Sequence, residues 1–174
     1  MHILDIVENS IEAGATRVEL IVDEDRQADQ LVVSVSDNGQ GMDEAYVRRV
    51  LDPFVTSRTT RRVGLGLPLI AATAERCGGG LSIESVKGKG TKVKVTFQLS
   101  HIDRPPLGDM KSTVLSIAVG RSDVDLRYVH RVDGRTFELD TAEVKRLLDG
   151  VPLSNPTVLR WLNEYLDQDI KEVA

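Results

Sequence analysis

The chain has 174 residues, 41% hydrophobic and 28% charged, which suits a soluble globular protein with one well-filled core and room for a small appendage. A net charge of −5 and an aromatic content of 4% argue against nucleic-acid binding by bulk electrostatics or base stacking, so no nucleic-acid partner is expected. The single cysteine, Cys77, excludes an internal disulfide, and no apolar run approaches the roughly 20 residues of a membrane span; the expectation is a cytoplasmic chain with no leader and no membrane contact.

Residues 1–13 place Ile3, Leu4, Ile6, Val7 and Ile11 at helical spacing, and Gly14 closes that helix. Residues 16–22 alternate Val18, Leu20 and Val22 with polar neighbours and predict a strand, followed by a polar turn over 23–29. Residues 31–36, LVVSVS, predict a second strand buried on both faces, running straight into DNGQGM at 37–42. A short helix is predicted over 43–51, with acidic Asp43 and Glu44 in its first turn and Pro53 ending it. Residues 54–63 are polar, basic and aperiodic and read as a loop. A helix runs from about Leu67 to Cys77, with Pro68 in the turn that tolerates it. Residues 81–86 and 91–99 alternate as two strands joined by Lys-Gly-Lys-Gly. Residues 100–112 read as a linker. Beyond it, 114–119 and 126–132 predict strands, and Asp133-Gly134 a hairpin into a strand at 136–139. Asp140 with Glu143 caps a helix through Leu148, and Asn155-Pro156 caps a last one through about Ile170.

Five stretches could carry chemistry, and each also has a plain structural reading. Asp5 and Asn9, four apart, share a helix face; together they could hold a hydrated Mg²⁺, or the carboxylate could orient a water, or both could be a solvated stripe. Asp37 ends an apolar strand where it could accept from an exocyclic amine, with Gly39 and Gly41 letting a flat ring approach, or the stretch could be a tight turn. Val63-Gly64-Leu65-Gly66-Leu67 opens a helix whose N–H groups could face an anion. It lacks the third glycine of a dinucleotide fingerprint, and no P-loop pattern occurs anywhere in the chain. Thr56, Ser57 and Arg58 begin a basic loop suited to a phosphate tail or to solvent. Lys87-Gly88-Lys89-Gly90-Thr91 is at least as well explained by the hairpin itself.

Their order is more telling than any one of them. A helix with an acid and an Asn, a strand into D-x-G-x-G-M, then P-F-V-T-S-R, G-L-G-L and G-K-G-T before a last strand resembles the GHKL ATP-binding fold over about residues 1–99. The ATP-binding chain of DNA gyrase, the large heat-shock chaperone, sensor histidine kinases and mismatch-repair ATPases share that fold. The resemblance implies an α+β fold: a two-layer α/β sandwich with a mixed, mainly antiparallel sheet covered by helices on one face, plus a small C-terminal α+β extension. It implies a division into an ATP-binding domain at 1–99, a linker at 100–112 and a small α+β region of unassigned role at 113–174. The implied cofactors are ATP and Mg²⁺. Asn9 would bind the metal and Asp37 the adenine amino group, with Gly39, Gly41 and Met42 shaping the base pocket and Gly88, Gly90 and Thr91 closing the site from the sheet side. Thr56, Ser57 and Arg58 would lead into the lid, and Gly64, Leu65, Gly66 and Leu67 would wrap the phosphates. Asp5 stands where hydrolytic members commonly carry a Glu and is a candidate general base one methylene shorter. The implied function is a regulatory ATPase or a kinase acting on a separate protein partner. The alternative is a nucleotide-gated interaction module without significant catalysis.

Overall fold

The computed structural model describes residues 3–50 and 66–173. Helix α1 (Ile3–Glu12) buries Ile3, Ile6, Val7 and Ser10, the stripe its spacing demands. Gly14 ends it at φ +78°, where a Cβ would be strained. Strands β1 (Arg17–Asp25) and β2 (Gln30–Asp37) pair antiparallel. In α2 (Glu44–Val50) the Tyr46 N–H at the first turn donates to the Asp43 side chain at 2.8 Å. Helix α3 (Gly66–Arg76) leads through Gly78 and Gly79 into β3 (Gly80–Val86) and β4 (Gly90–Gln98), an antiparallel pair. Then come α4 (Met110–Gly120), β5 (Asp125–Val132), β6 (Arg135–Asp140), α5 (Thr141–Leu148) and α6 (Pro156–Val173).

Among the described residues the strands form one sheet in the order β3-β4-β2-β1-β5-β6. Each neighbouring pair is antiparallel except β1 with β5, which run parallel. The period-two alternation of each strand turns Leu20, Val33, Val95, Tyr128 and Leu139 to one face, where they meet apolar residues from all six helices. The sheet is therefore mixed, mainly antiparallel and covered by helices on one side, as the sequence led us to expect.

The opposite face is open and polar. Its charges pair across strands: Arg127 bonds both Glu19 and Glu138, Arg17 meets Asp140 at 2.6 Å, and Arg131 lies 3.7 Å from Asp23. Pairs this exposed contribute at most about 1 kcal/mol each, so stability comes chiefly from the covered face. In β2, Ser34 is buried on this open side too, and Val32 is half-buried, which accounts for the nearly continuous apolar reading of that strand.

Two expectations need correction. The strand expected at 114–119 is the middle of α4, and the linker's last residues, Met110 to Ser112, form that helix's first turn. Asp109 caps it, accepting from Ser112 N at 2.9 Å, and Met110, Val114, Ile117 and Ala118 are buried at helical spacing. A short apolar run fits either period, and here the cap decides. Second, β1 continues to Asp25, shortening the expected polar turn. Its acidic end is matched by cations on β5: Asp23 by Arg131 and Glu24 by His130. The sheet itself runs on past residue 100. β5 pairs along β1 from Arg17↔Asp125 to Glu24↔Val132, and one core spans both sides.

Candidate functional site

At the C-terminal end of β2 the register sets Asp37 beside Thr91 of β4, and Thr91 beside Ser85 of β3, a row on the helix-covered face. Asp37 Oδ1 accepts from Gly39 N at 2.8 Å and from Thr91 N at 3.3 Å. Its second oxygen accepts no hydrogen bond among the described residues. One oxygen thus holds the carboxylate in place while the other remains available.

The loop after Asp37 is tied down on both sides. Asn38 Oδ1 accepts from Thr16 N and Arg17 N, each at 2.9 Å, and its Nδ2 donates to Thr16 Oγ1. Gln40 N donates to Ala13 O at the end of α1, and Gly88 N of the β3–β4 turn donates to Gln40 O. A Cβ on Gly41, which has φ +61°, would sit 2.1 Å from Val86 O. A Cβ on Gly90, at φ +108°, would sit 1.9 Å from Asp37 O. The sequence reading assigned the loop glycines to the approach of a ligand ring; the crowding they relieve is between the loop and its own hairpin.

A cavity of about 170 Å³ opens here, lined among others by Asn9, Asp37, Gly41, Met42, Leu67 and Thr91. That is below the roughly 300–1,000 Å³ of a whole-ligand pocket, so the described walls suit one ring rather than an entire nucleotide. Six of the expected site residues are therefore brought together from α1, β2, the 38–42 loop, α3 and β4. Gly39 is buried beneath the loop and does not line the cavity. Gly66 opens α3 next to Leu67, with nothing within 4 Å of an added Cβ. Asp5 is exposed on α1 and is not a lining residue. Thr56, Ser57, Arg58, Gly64 and Leu65 lie outside the described residues.

Several contributors escaped the sequence reading, among them Glu12, Tyr46 and Ser85. Glu12 and Tyr46 line the cavity from α1 and α2. Ser85 accepts from Met42 N at 2.7 Å and lies 2.8 Å from Thr91 Oγ1. Nothing in a lone serine two places before a glycine hairpin signals this; only the strand register brings it behind Thr91.

A mixed sheet with helices on one face, and this cavity at the end of its central strand, define the ATPase-domain fold of the GHKL type. Residues 2–101, more than half of the chain, match the family described as histidine kinase-, DNA gyrase B- and HSP90-like ATPase, and the chain belongs to that family. A putative sensor protein of Shewanella frigidimarina is 32% identical over 103 residues, which are 58% of this chain and 16% of that protein. Sporulation kinase C of Bacillus subtilis is 31% identical over 96 residues, 55% of this chain and 22% of the kinase. The chain thus spans less than a quarter of the length of these relatives. Among solved structures, the N-terminal domain of a DNA repair protein aligns with a TM-score of 0.53 at 16% identity, covering 78% of this chain and 50% of that one. At that identity the likeness is one of fold. Its coverage exceeds the share held by residues 2–101, so it includes part of the region beyond residue 101. Among the described residues no helix is long and apolar enough to cross a membrane.

Proposed function

We propose that this domain binds Mg·ATP and serves as a regulatory ATPase or a kinase acting on a separate protein partner. The observation that carries the binding half is the Asp37 carboxylate. It is anchored through Oδ1, with Oδ2 left to accept from the exocyclic amine of a purine in the cavity. Asn9 lines the same cavity one helix away, with a carboxamide oxygen suited to a hard cation. Among the described residues no cluster of three or more His, Cys, Asp or Glu is placed to hold a metal, so a cation here would take most of its ligands from phosphates and water. When bound, Mg²⁺ supplies charge neutralisation to the phosphates. The chain's own part is to orient the base with Asp37, wall off water with Met42 and Leu67, and present the N-terminus of α3 toward the anion.

Isothermal titration with ATP, with and without Mg²⁺, tests this. Saturable Mg²⁺-dependent binding is expected, weakened at least about tenfold by Asp37→Asn, whose amide can turn a donor toward the purine amine. A wild-type protein that shows no heat with ATP would sink the proposal.

A second reading has its own support. Asp5 is short, exposed and outside the cavity lining, which favours a nucleotide-gated interaction module with little turnover. Phosphate release separates the two. If reach limits hydrolysis, Asp5→Glu raises turnover; if turnover stays at background in both proteins, the gated module stands.

A further inference from the structure

Ser85 stands outside the cavity lining but behind two residues that form it. Its hydroxyl meets Met42 N at 2.7 Å, Thr91 Oγ1 at 2.8 Å and Gly90 O at 3.1 Å. A serine hydroxyl has one proton and two lone pairs. Met42 N–H occupies one lone pair. All three contacts become hydrogen bonds in one arrangement only: Ser85 donates to the Gly90 carbonyl and accepts the Thr91 proton on its second lone pair. In the reverse arrangement Ser85 donates to Thr91, and its contact with Gly90 O carries no proton. The filled network therefore turns the Thr91 proton away from the cavity. Thr91 Oγ1 then shows the cavity only acceptor capacity, and its strand neighbour Asp37 Oδ2 is an acceptor as well.

Resting on the nucleotide reading above, we propose that Ser85 is a positioning residue for purine choice. By keeping Thr91 an acceptor, it makes this wall accept a 6-amino purine and reject a 6-oxo purine. An amino group brings two protons toward two acceptors. A keto oxygen brings lone pairs against acceptors that have given up their water, and such a mismatch is what lets a polar site discriminate. Ser85 touches no substrate in this scheme. It acts through Thr91, and it steadies the loop through Met42 N.

The test compares dissociation constants for ATP and ITP on the full chain. The two nucleotides differ at the 6-position and in the proton on the adjacent ring nitrogen. Wild type prefers ATP. Ser85→Ala frees the Thr91 hydroxyl to rotate and donate to the keto group, so the preference for ATP over ITP falls about tenfold. Ser85→Thr keeps the hydroxyl and keeps the preference. In a Thr91→Val background, removing Ser85 leaves the ratio unchanged. Should Ser85→Ala fail to fold, Thr91→Val and Ser85→Thr carry the comparison: the ratio drops in the first and holds in the second. Equal weakening of both nucleotides by Ser85→Ala, or an unchanged ratio, overturns the inference and leaves ATP binding standing. A wild-type chain that binds neither nucleotide overturns both.

Discussion

Two neighbours, Asp37 and Asn38, divide one turn between them. Asp37 faces the cavity, while Asn38 staples the turn to the start of β1 through Thr16 and Arg17. The glycines after them and across from them differ in what they must avoid, and substitutions can separate the cases. Gly88 has φ +79° with open space around an added Cβ, whereas a Cβ on Gly90 would meet Asp37 O at 1.9 Å. Gly88→Ala should then cost about 1–2 kcal/mol, the left-handed conformation alone. Gly90→Ala should cost about 3 kcal/mol or more, because the backbone of the site must move as well. Urea unfolding of both variants measures this, and equal midpoints would refute the crowding seen between hairpin and loop. The need for glycine at these places was legible in the sequence. The reason at Gly90 was not, because the atom its Cβ would strike lies at the end of β2, dozens of residues away.

At the scale of elements, β5 joins two others through one histidine. His130 Nδ1 lies 2.9 Å from Asp169 of α6 and Nε2 3.1 Å from Glu24 of β1, while Tyr128 donates to Asp169 at 2.7 Å. Burial pushes the imidazole pKa down, but the bonds to Asp169 and Glu24 outweigh it and raise it from 6.5 to about 9. The bond to His130 in turn lowers the Glu24 carboxyl below its ordinary 4.5 against the opposing effect of burial. A raised histidine stabilises fully below its unfolded value and loses that contribution as pH climbs through the folded one. The Glu24 contribution is present above about 4.5 and is lost as pH falls further. Thermal midpoints should therefore hold between about pH 4.5 and 6.5 and decline toward pH 9. His130→Ala should lower them by the equivalent of about 3 kcal/mol and flatten the decline, since it strands two buried or half-buried carboxylates. A variant with the wild-type pH profile would show that the cluster does not govern it. The sequence marked residues 126–132 as a strand but gave no sign that Glu24 and Asp169 converge on it.

For the whole molecule, the decisive pairing is β1 with β5. Residues 102–174 fall outside the family match, yet their strands continue the family's sheet and their helices share its core. Cutting the chain after residue 101 would bare the edge of β1 along the stretch that pairs with β5, together with the wall that Val18, Leu20 and Val22 build with Leu126 and Tyr128. The fragment should self-associate or melt well below the full chain, which size-exclusion and thermal unfolding would record. A monomeric fragment with an unchanged midpoint would make the C-terminal part a true appendage. By itself the sequence determined the order and type of most elements, the Asp37 turn with its glycines, and the family resemblance. All of these are written in short-range periodicity and turn chemistry that neighbours in the chain carry. Only the tertiary structure decided that 110–120 is a helix docked in the core, that β5 lies parallel to β1, and that Ser85 stands behind Thr91. Those facts depend on partners far apart in the chain, such as Arg17 with Asp140, and on strand register, which a local pattern cannot encode because many pairings would satisfy it equally.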